Sequence, residues 1–153
     1  MSILDIVCAP STLAARLFNP LQTPFALGAR LFVSWQFLES GFIKATTWPS
    51  TLYLFTNEYH TPWLSPYNAA VAATFGELFF PALLVMGFIS RLSALALFVV
   101  NAIAVASYSQ VLLAEGSEAA LGQHVLWGLL LLFLTVYGPG KLSLDYLLNR
   151  SRV

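Results

Sequence analysis

The sequence predicts an all-α integral membrane protein, a bundle of four transmembrane helices with a short interfacial helix at each terminus. Of the 153 residues, 58% are hydrophobic and 9% are charged, and the mean hydropathy is +0.76. A soluble domain has about 25% charged residues, so this chain has too few to cover a water-facing surface. It also contains four apolar windows near the roughly 20 residues that a helix needs to cross a bilayer. Its length favours one domain over residues 1–153.

The four apolar windows are nearly free of charge. They predict transmembrane helices at 24–43, 69–89, 92–113 and 121–137. The first window contains two charged residues, Arg30 and Glu39, and the second contains only Glu77. The third contains none, and His124 is the ionisable residue of the fourth. Each window can therefore cross the hydrocarbon core as a helix.

The segments between the windows have the composition of turns and loops. Residues 45–68 contain three prolines and six aromatic residues, which predicts a long aromatic loop. Residues 90–91 predict a tight turn between two antiparallel helices. The Gly-Pro-Gly sequence at 138–140 ends the fourth helix, because proline lacks an amide donor and glycine relaxes the backbone.

Both terminal segments are apolar but interrupted. Residues 1–23 contain two prolines and lack the basic start and the cleavage site of a secretory signal. We expect this segment to remain and to lie along the inner membrane surface. In the tail, 138–153, Leu144, Leu147 and Leu148 share one helical face beside arginines, which predicts a short interfacial helix.

Basic residues accumulate on one side of the predicted topology. That side holds Arg16, Arg91, Lys141, Arg150 and Arg152. The opposite loops hold Glu58, Glu115 and Glu118, with Lys44 as their basic neighbour. Because short basic segments stay in the cytoplasm, we expect both termini to be cytoplasmic.

Composition also excludes several functional classes. Seven Lys and Arg balance seven Asp and Glu, so no positive field attracts nucleic acid. Cys8 is the single cysteine, which excludes dithiol redox chemistry within one chain. No His-x3-His spacing predicts a metal site, and no nucleophile triad or phosphate-binding glycine loop is present.

Polar residues inside the spans are the candidate functional groups. A charge in hydrocarbon costs at least about 2.5 kcal/mol on insertion scales, so such residues normally face the bundle interior. Depth along the helices places several of them in the outer half of the bundle. We expect Glu77 and Glu39 to act as the catalytic, proton-exchanging groups. The candidate ligand-binding residues are His124, Asn101, Trp35 and Gln110.

The same residues also admit a purely structural interpretation. Arg30 and Glu77 are within vertical reach of each other, which favours an interhelical ion pair that fixes packing. Lys44 is counted with Arg30 and Glu77 among the structural ion-pair residues, and it is also expected to extend its ammonium group to the membrane interface. Helical periodicity separates two faces of the first helix. One holds Arg30, Phe37, Gly41 and Lys44, and the other holds Gly28, Phe32, Trp35 and Glu39.

Aromatic residues concentrate near the predicted outer boundary. They include Trp48, Tyr53, Phe55, Tyr59 and Trp63. An aromatic belt at the membrane interface explains them. Alternatively, they cover the mouth of the outer pocket and accept a flat amphiphile such as a quinone.

Several of these features together resemble the DoxX family over about residues 24–148. The resemblance rests on Arg30, Gly41, Lys44, Glu77, Pro81, Leu83, Leu84, Gly87, Arg91 and the sequence 138–145. It implies a small four-helix inner-membrane protein of bacteria or archaea. It also implies a redox context, since relatives called DoxD are similar to the quinone-reactive membrane subunit of a thiosulfate:quinone oxidoreductase. Other members imply association with oxidoreductase complexes.

A narrower resemblance involves the long loop and the fourth helix. Residues 58–60, Pro62, Pro66, His124 and 127–128 are similar to a subgroup encoded beside copper-responsive, peptide-modifying operons. That likeness implies a role in metal stress or in handling a modified peptide. The chain lacks the Cys and Met clusters that copper transport ordinarily needs.

Three functional hypotheses follow. In the first, the protein is a redox subunit with no intrinsic cofactor that binds a quinone and receives electrons from a partner oxidoreductase. In the second, it is a noncatalytic anchor or assembly partner for an oxidoreductase or peptide-modifying complex, alone or as a homo-oligomer. The third, a small transporter or channel, is poorly supported because no polar inner vestibule is predicted.

Overall fold

The computed structural model describes residues 13–61 and 63–151. Residues 13–18 are helical and lead through a 3-10 turn, Asn19–Leu21, into the first long helix. The helices that follow are α1 (Gln22–Thr46), α2 (Trp48–Asn57), α3 (Pro66–Met86), α4 (Ser90–Ser107), α5 (Ser109–Leu112), α6 (Glu118–Tyr137) and α7 (Leu144–Arg150). The described ranges contain no strand. The predicted all-α class is confirmed.

Four long helices form a closed bundle. Helix α1 packs against α3 and α6, and α4 packs against α3 and α6. Apolar residues from all four helices fill the interior, and all but Phe37 are small or branched. These are Ala26, Ala29, Val33, Phe37, Leu84, Ala94, Leu97, Leu131 and Leu134. The three alanines among them allow neighbouring helices to approach closely.

Three of these helices are long and apolar enough to cross a membrane, namely α3, α4 and α6. Only 17% of the apolar window of α6 is buried within the protein, so most of that helix presents hydrocarbon outwards. Helix α1 is longer still, with 25 residues, but its charged residues lower its hydropathy. The predicted membrane bundle is confirmed in this form.

Two predicted boundaries are wrong. Residues 45–68 are not simply a loop, because α2 begins at Trp48 with a proline in its first turn and buries Thr51 and Phe55. Proline is favoured there, since the first amides of a helix have no intrahelical acceptor. The predicted span 92–113 ends at Ser107, whose carbonyl accepts a hydrogen bond from the backbone amide of His60. Tyr108 then leaves the helical conformation before α5.

The turn between α3 and α4 depends on Gly87. Its φ is +71°, and an added Cβ would lie 2.6 Å from the Cβ of Ser143. Only glycine combines this left-handed conformation with so close an approach. Ser143 in turn begins α7, because its Oγ accepts from the amide of Tyr146. The predicted C-terminal helix is therefore present, whereas most of the predicted N-terminal interfacial segment, residues 1–12, lies outside the described residues.

The antiparallel topology gives the bundle two chemically different ends. We call the end that holds Gly87, Arg91 and Lys141 the cap end. The other end, which holds Lys44, Glu58 and Glu118, is called the cavity end. Basic residues other than Lys44 thus lie at the cap end, as the sequence predicts, except Arg152, which is outside the described residues.

Candidate functional site

Arg30 anchors the cap end. Its side chain is 1% exposed, and its guanidinium donates four hydrogen bonds to backbone carbonyls. Nε donates to Leu84 (2.9 Å) and Nη2 to Val85 (2.8 Å), while Nη1 donates to Pro139 and Leu142 (both 2.9 Å). The positive charge therefore satisfies carbonyls at the C-terminus of α3 and in the segment 139–142, which follows α6.

The prediction of an ion pair between Arg30 and Glu77 is therefore wrong. Arg30 lies at the cap end, with carbonyl acceptors around its guanidinium. Glu77 lies nearer the cavity end and pairs with Lys44 instead. Arg30 lies in the N-terminal half of α1, whereas the close contact of α1 with α3 at Gly41 brings Lys44, near the C-terminus of α1, to Glu77.

Asp145 and Arg91 complete the cap end. Both carboxylate oxygens of Asp145 accept from backbone amides, Oδ1 from Ile89 and Oδ2 from Ser90 (both 2.8 Å). Arg91 Nη1 donates to the carbonyl of Val136 (2.7 Å) at the end of α6. An acid at a helix N-terminus and a base at a C-terminus each neutralise the local dipole. The residues of the cap end therefore act chiefly to hold helix termini together.

The cavity end is organised around an ion pair. Lys44 Nζ lies 2.7 Å from Glu77 Oε2 and also donates to Ser40 Oγ (2.6 Å). Glu77 is 6% exposed. Gly41 makes the pair possible, because a Cβ there would meet the Cβ of Glu77 and the Cγ of Leu78 at 3.0 Å. The absence of a side chain lets α1 approach α3 one turn before Lys44.

A cavity of about 260 Å³ adjoins this ion pair. Alanines at 69, 72 and 73 on α3 leave the space that larger side chains would fill. Three residues that line the cavity are also exposed on the outer surface, namely Leu64, Ala72 and Ile103. The mouth therefore opens sideways between α3 and α4, where the apolar surface of a membrane helix meets lipid.

His124 forms another wall of the cavity. Its Nδ1 lies 2.8 Å from Asn101 Oδ1, and Asn101 Nδ2 donates to the His124 carbonyl at 2.9 Å. The two residues thus make a reciprocal bridge between α4 and α6. Gly128 lies one turn further along α6, and a Cβ there would be in ordinary van der Waals contact with Asn101 Nδ2, at 3.4 Å.

An aromatic group closes the cavity on the side of α2. Phe55 and Tyr59 line it, with ring centroids 4.8 Å apart, and Tyr59 and Tyr108 are 4.9 Å apart. Burial raises the pKa of the Tyr59 phenol above its ordinary value, and the nearby Tyr108, Glu77 and Glu58 raise that pKa further. Tyr59 therefore stays protonated and available as a hydrogen-bond donor.

The structure brings some of the predicted site residues together. Glu77 and His124 line one cavity, and Asn101 lies behind His124. Of the aromatic residues considered for the mouth, Phe55 and Tyr59 line the cavity, whereas Trp63 is 98% exposed.

Three other predicted site residues lie elsewhere. Glu39 is exposed, Trp35 is 65% exposed, and Gln110 is exposed on α5. Depth along a helix does not determine direction around it, so residues at similar depth face opposite ways. Glu39 and Trp35 lie on the face of α1 that points away from the bundle, and Gln110 follows the break at Tyr108.

Lys44 is an ion-pair residue, but the sequence does not identify its partner. Its ammonium group lines the cavity and pairs with Glu77 instead of extending to the membrane interface. The available signal was its place on the same helical face as Gly41, a residue that permits close helix contact. Tyr108 was missed because it falls inside an uninterrupted apolar window.

Comparisons with known proteins agree with the earlier resemblance. The DoxX family model matches residues 25–110, more than half of the chain. A protein of Haemophilus influenzae described as an "Uncharacterized protein" is 33% identical over 136 residues, which cover 79% of this chain and 81% of that protein. No solved structure matches the chain. The bundle of apolar helices, the extent of the family match and this relative together establish that the chain belongs to the DoxX family of membrane proteins.

Proposed function

We propose that this protein is a quinone-interacting membrane subunit of a redox system and that the cavity beside Lys44, Glu77 and His124 binds the quinone head group. The observation that supports the proposal is the convergence of these polar groups on one apolar, laterally open cavity. Hydrogen-bonding groups inside an otherwise apolar pocket orient a small ligand. Glu39, Trp35 and Gln110 do not line this cavity.

The size and position of the cavity suit a single ring. Pockets for drug-sized ligands measure about 300–1,000 Å³, and this one, at about 260 Å³, is slightly smaller. Its mouth lies between α3 and α4, beside the exposed side chain of Ile103. A ring could enter from the bilayer while its apolar tail remains among the lipids.

The polar groups supply both donors and acceptors. An ammonium group has three protons, and Lys44 uses two of its own on Ser40 and Glu77. The third proton and the Tyr59 hydroxyl could donate to ligand oxygens, whereas Glu77 and His124 could accept. Reduction of a quinone to a hydroquinone takes up two electrons and two protons. A partner oxidoreductase would supply the electrons, and the cavity groups would exchange the protons.

We further propose that the protein lies in a bacterial inner membrane with the cap end facing the cytoplasm. Arg91, Lys141 and Arg150 lie at that end, and Glu58 and Glu118 lie at the other. This distribution follows the excess of basic residues in cytoplasmic segments. The cavity would then open into the outer leaflet.

Quinone titration of the full chain in lipid nanodiscs tests the proposal. Trp127 is a built-in reporter, because its ring centroid lies 4.9 Å from that of His124. We expect a short-tailed ubiquinone such as decylubiquinone to quench its fluorescence saturably. Glu77→Gln should weaken binding about tenfold, the equivalent of about 1.4 kcal/mol lost with one charge-assisted hydrogen bond.

Glu39→Gln is the matched control, since it removes the same charge from the exposed face of α1. It should leave the affinity unchanged. Trp127→Phe should remove the saturable component and leave only linear quenching of the remaining tryptophans. If the wild-type protein shows linear quenching only, the quinone site is refuted, and the noncatalytic anchor becomes the better description.

A further inference from the structure

The bridge between Asn101 and His124 determines more than helix packing. A backbone carbonyl only accepts hydrogen bonds, so the Asn101 group that faces the His124 carbonyl, at 2.9 Å, must be its amide NH₂. The side-chain oxygen of Asn101 then faces His124 Nδ1 at 2.8 Å. An amide oxygen is also only an acceptor. Nδ1 must therefore carry the proton of the neutral imidazole.

The second ring nitrogen has a different environment. A neutral imidazole has one N–H and one lone pair, so Nε2 holds the lone pair when Nδ1 is protonated. Within residues 13–61 and 63–151, Nε2 of His124 has no hydrogen-bond partner. His124 lines the cavity, whereas Asn101, which holds the opposite side of the ring, does not. The free acceptor is thus available to a cavity ligand.

We infer that Asn101 is a positioning residue that holds His124 as the Nδ1–H tautomer, and that this arrangement makes the cavity select the reduced, hydroxyl-bearing form of its ligand. The identity of that ligand rests on the function proposed above. A hydroquinone hydroxyl donates to Nε2, whereas a quinone carbonyl presents a second acceptor to it. One form gains a hydrogen bond to Nε2, and the other places a second acceptor against its lone pair.

This selection would favour electron transfer into the bound quinone. A ligand shifts an equilibrium by the ratio of its affinities for the two states. Tighter binding of the hydroquinone raises the reduction potential of the bound couple. For a two-electron couple, a tenfold preference corresponds to about 30 mV. The bound quinone would then accept electrons from a partner more readily than the free quinone in the bilayer.

Nuclear magnetic resonance tests the tautomer without any ligand. The protein is labelled with ¹⁵N-histidine, and His60→Gln leaves His124 as the single histidine. At pH 8, long-range ¹H–¹⁵N correlations should show a protonated Nδ1 and an unprotonated Nε2. Asn101→Leu removes the acceptor and should produce a mixture of tautomers. Asn101→Asp keeps an acceptor beside Nδ1 and loses the donor to the His124 carbonyl, so Nδ1 should stay protonated while the rest of the bridge is lost. This variant distinguishes positioning by the acceptor from a general loss of packing.

Competition binding tests the selection. With decylubiquinone held at a quenching concentration under anaerobic conditions, decylubiquinol should restore Trp127 fluorescence and bind about tenfold more tightly. Asn101→Leu should reduce that preference to less than about twofold, and Asn101→Asp should preserve it. Where the leucine variant does not fold, the wild-type spectrum and the aspartate variant still decide the outcome.

The possible failures are distinguishable. A protonated Nε2 in the wild-type spectrum overturns the role assigned to Asn101, whether or not quinones bind. The expected tautomer with equal affinities for the two redox forms overturns the selection. Absence of any saturable quinone binding refutes the proposed function and the selection with it, while the spectrum still tests the positioning by Asn101.

Discussion

Lys44 of α1 and Glu77 of α3 form an ion pair, with Nζ and Oε2 2.7 Å apart, at the wall of the cavity. The side chains are only 18% and 8% exposed, so neither charge is well hydrated. Removing one partner of such a pair leaves the other uncompensated in a poorly hydrated site. The pair therefore couples the stability of the bundle to the chemistry of the cavity.

Single and double substitutions should show this coupling. We expect Lys44→Met to destabilise the protein by about 3 kcal/mol, because Glu77 would keep a buried charge without a partner. The double variant Lys44→Met with Glu77→Leu should recover most of that loss, since neither charge remains. Equilibrium unfolding in detergent micelles measures both. Equal losses in the single and double variants would contradict the importance of the pair.

The hydrogen bonds of Arg30 at the cap end should contribute to stability independently of the ion pair between Lys44 and Glu77. Arg30→Lys should cost about 3 kcal/mol, because an ammonium cannot reproduce the planar fork that donates to four carbonyls in two separate segments. Combined with Glu77→Gln, the two losses should add, because the residues share no partner. Unfolding measurements on both single variants and the double variant check this. A coupling above about 1 kcal/mol would instead support direct pairing of Arg30 and Glu77.

Gly41 and Gly28 make a matched comparison on the same helix. Gly41→Ala should destabilise by about 1–3 kcal/mol, because its Cβ would meet the Cβ of Glu77 at 3.0 Å and force the helices apart. Gly28→Ala has open space around its Cβ and should be neutral or stabilising by up to about 1 kcal/mol. Thermal unfolding in the same detergent distinguishes them. A larger loss at Gly28 would contradict the packing of α1.

The Tyr59 hydroxyl should lose its proton at a higher pH than an ordinary tyrosine does. Its pKa is raised by burial and by nearby Tyr108, Glu77 and Glu58, so a folded-state pKa above the unfolded value is expected. The stabilising contribution of the neutral phenol is then present below about pH 10 and is lost as the pH rises through the raised value. The difference in phenolate absorbance between wild type and Tyr59→Phe, followed against pH, measures this midpoint. A midpoint at or below the ordinary value would place Tyr59 in contact with water.

The sequence alone determined the fold class, the membrane environment and the presence of polar groups in the spans. These follow from composition and from windows of apolar residues, which depend on order along the chain. Helical periodicity also grouped Arg30, Phe37, Gly41 and Lys44 on one face of α1, but it did not determine which face is buried. Each of these properties can be derived from composition or from one segment at a time, without knowing which helices are neighbours.

The tertiary structure alone decided which polar groups meet. Whether Glu77 pairs with Arg30 or Lys44 depends on the closeness of α1 and α3 at Gly41, which no single-helix pattern contains. The same holds for Asn101 and His124, which lie on different helices and 23 residues apart in sequence. The exclusion of Glu39, Trp35 and Gln110 likewise depended on direction around each helix relative to its neighbours. Hydropathy specifies which segments enter the membrane, whereas the rotation and spacing of packed helices specify the contacts between their side chains.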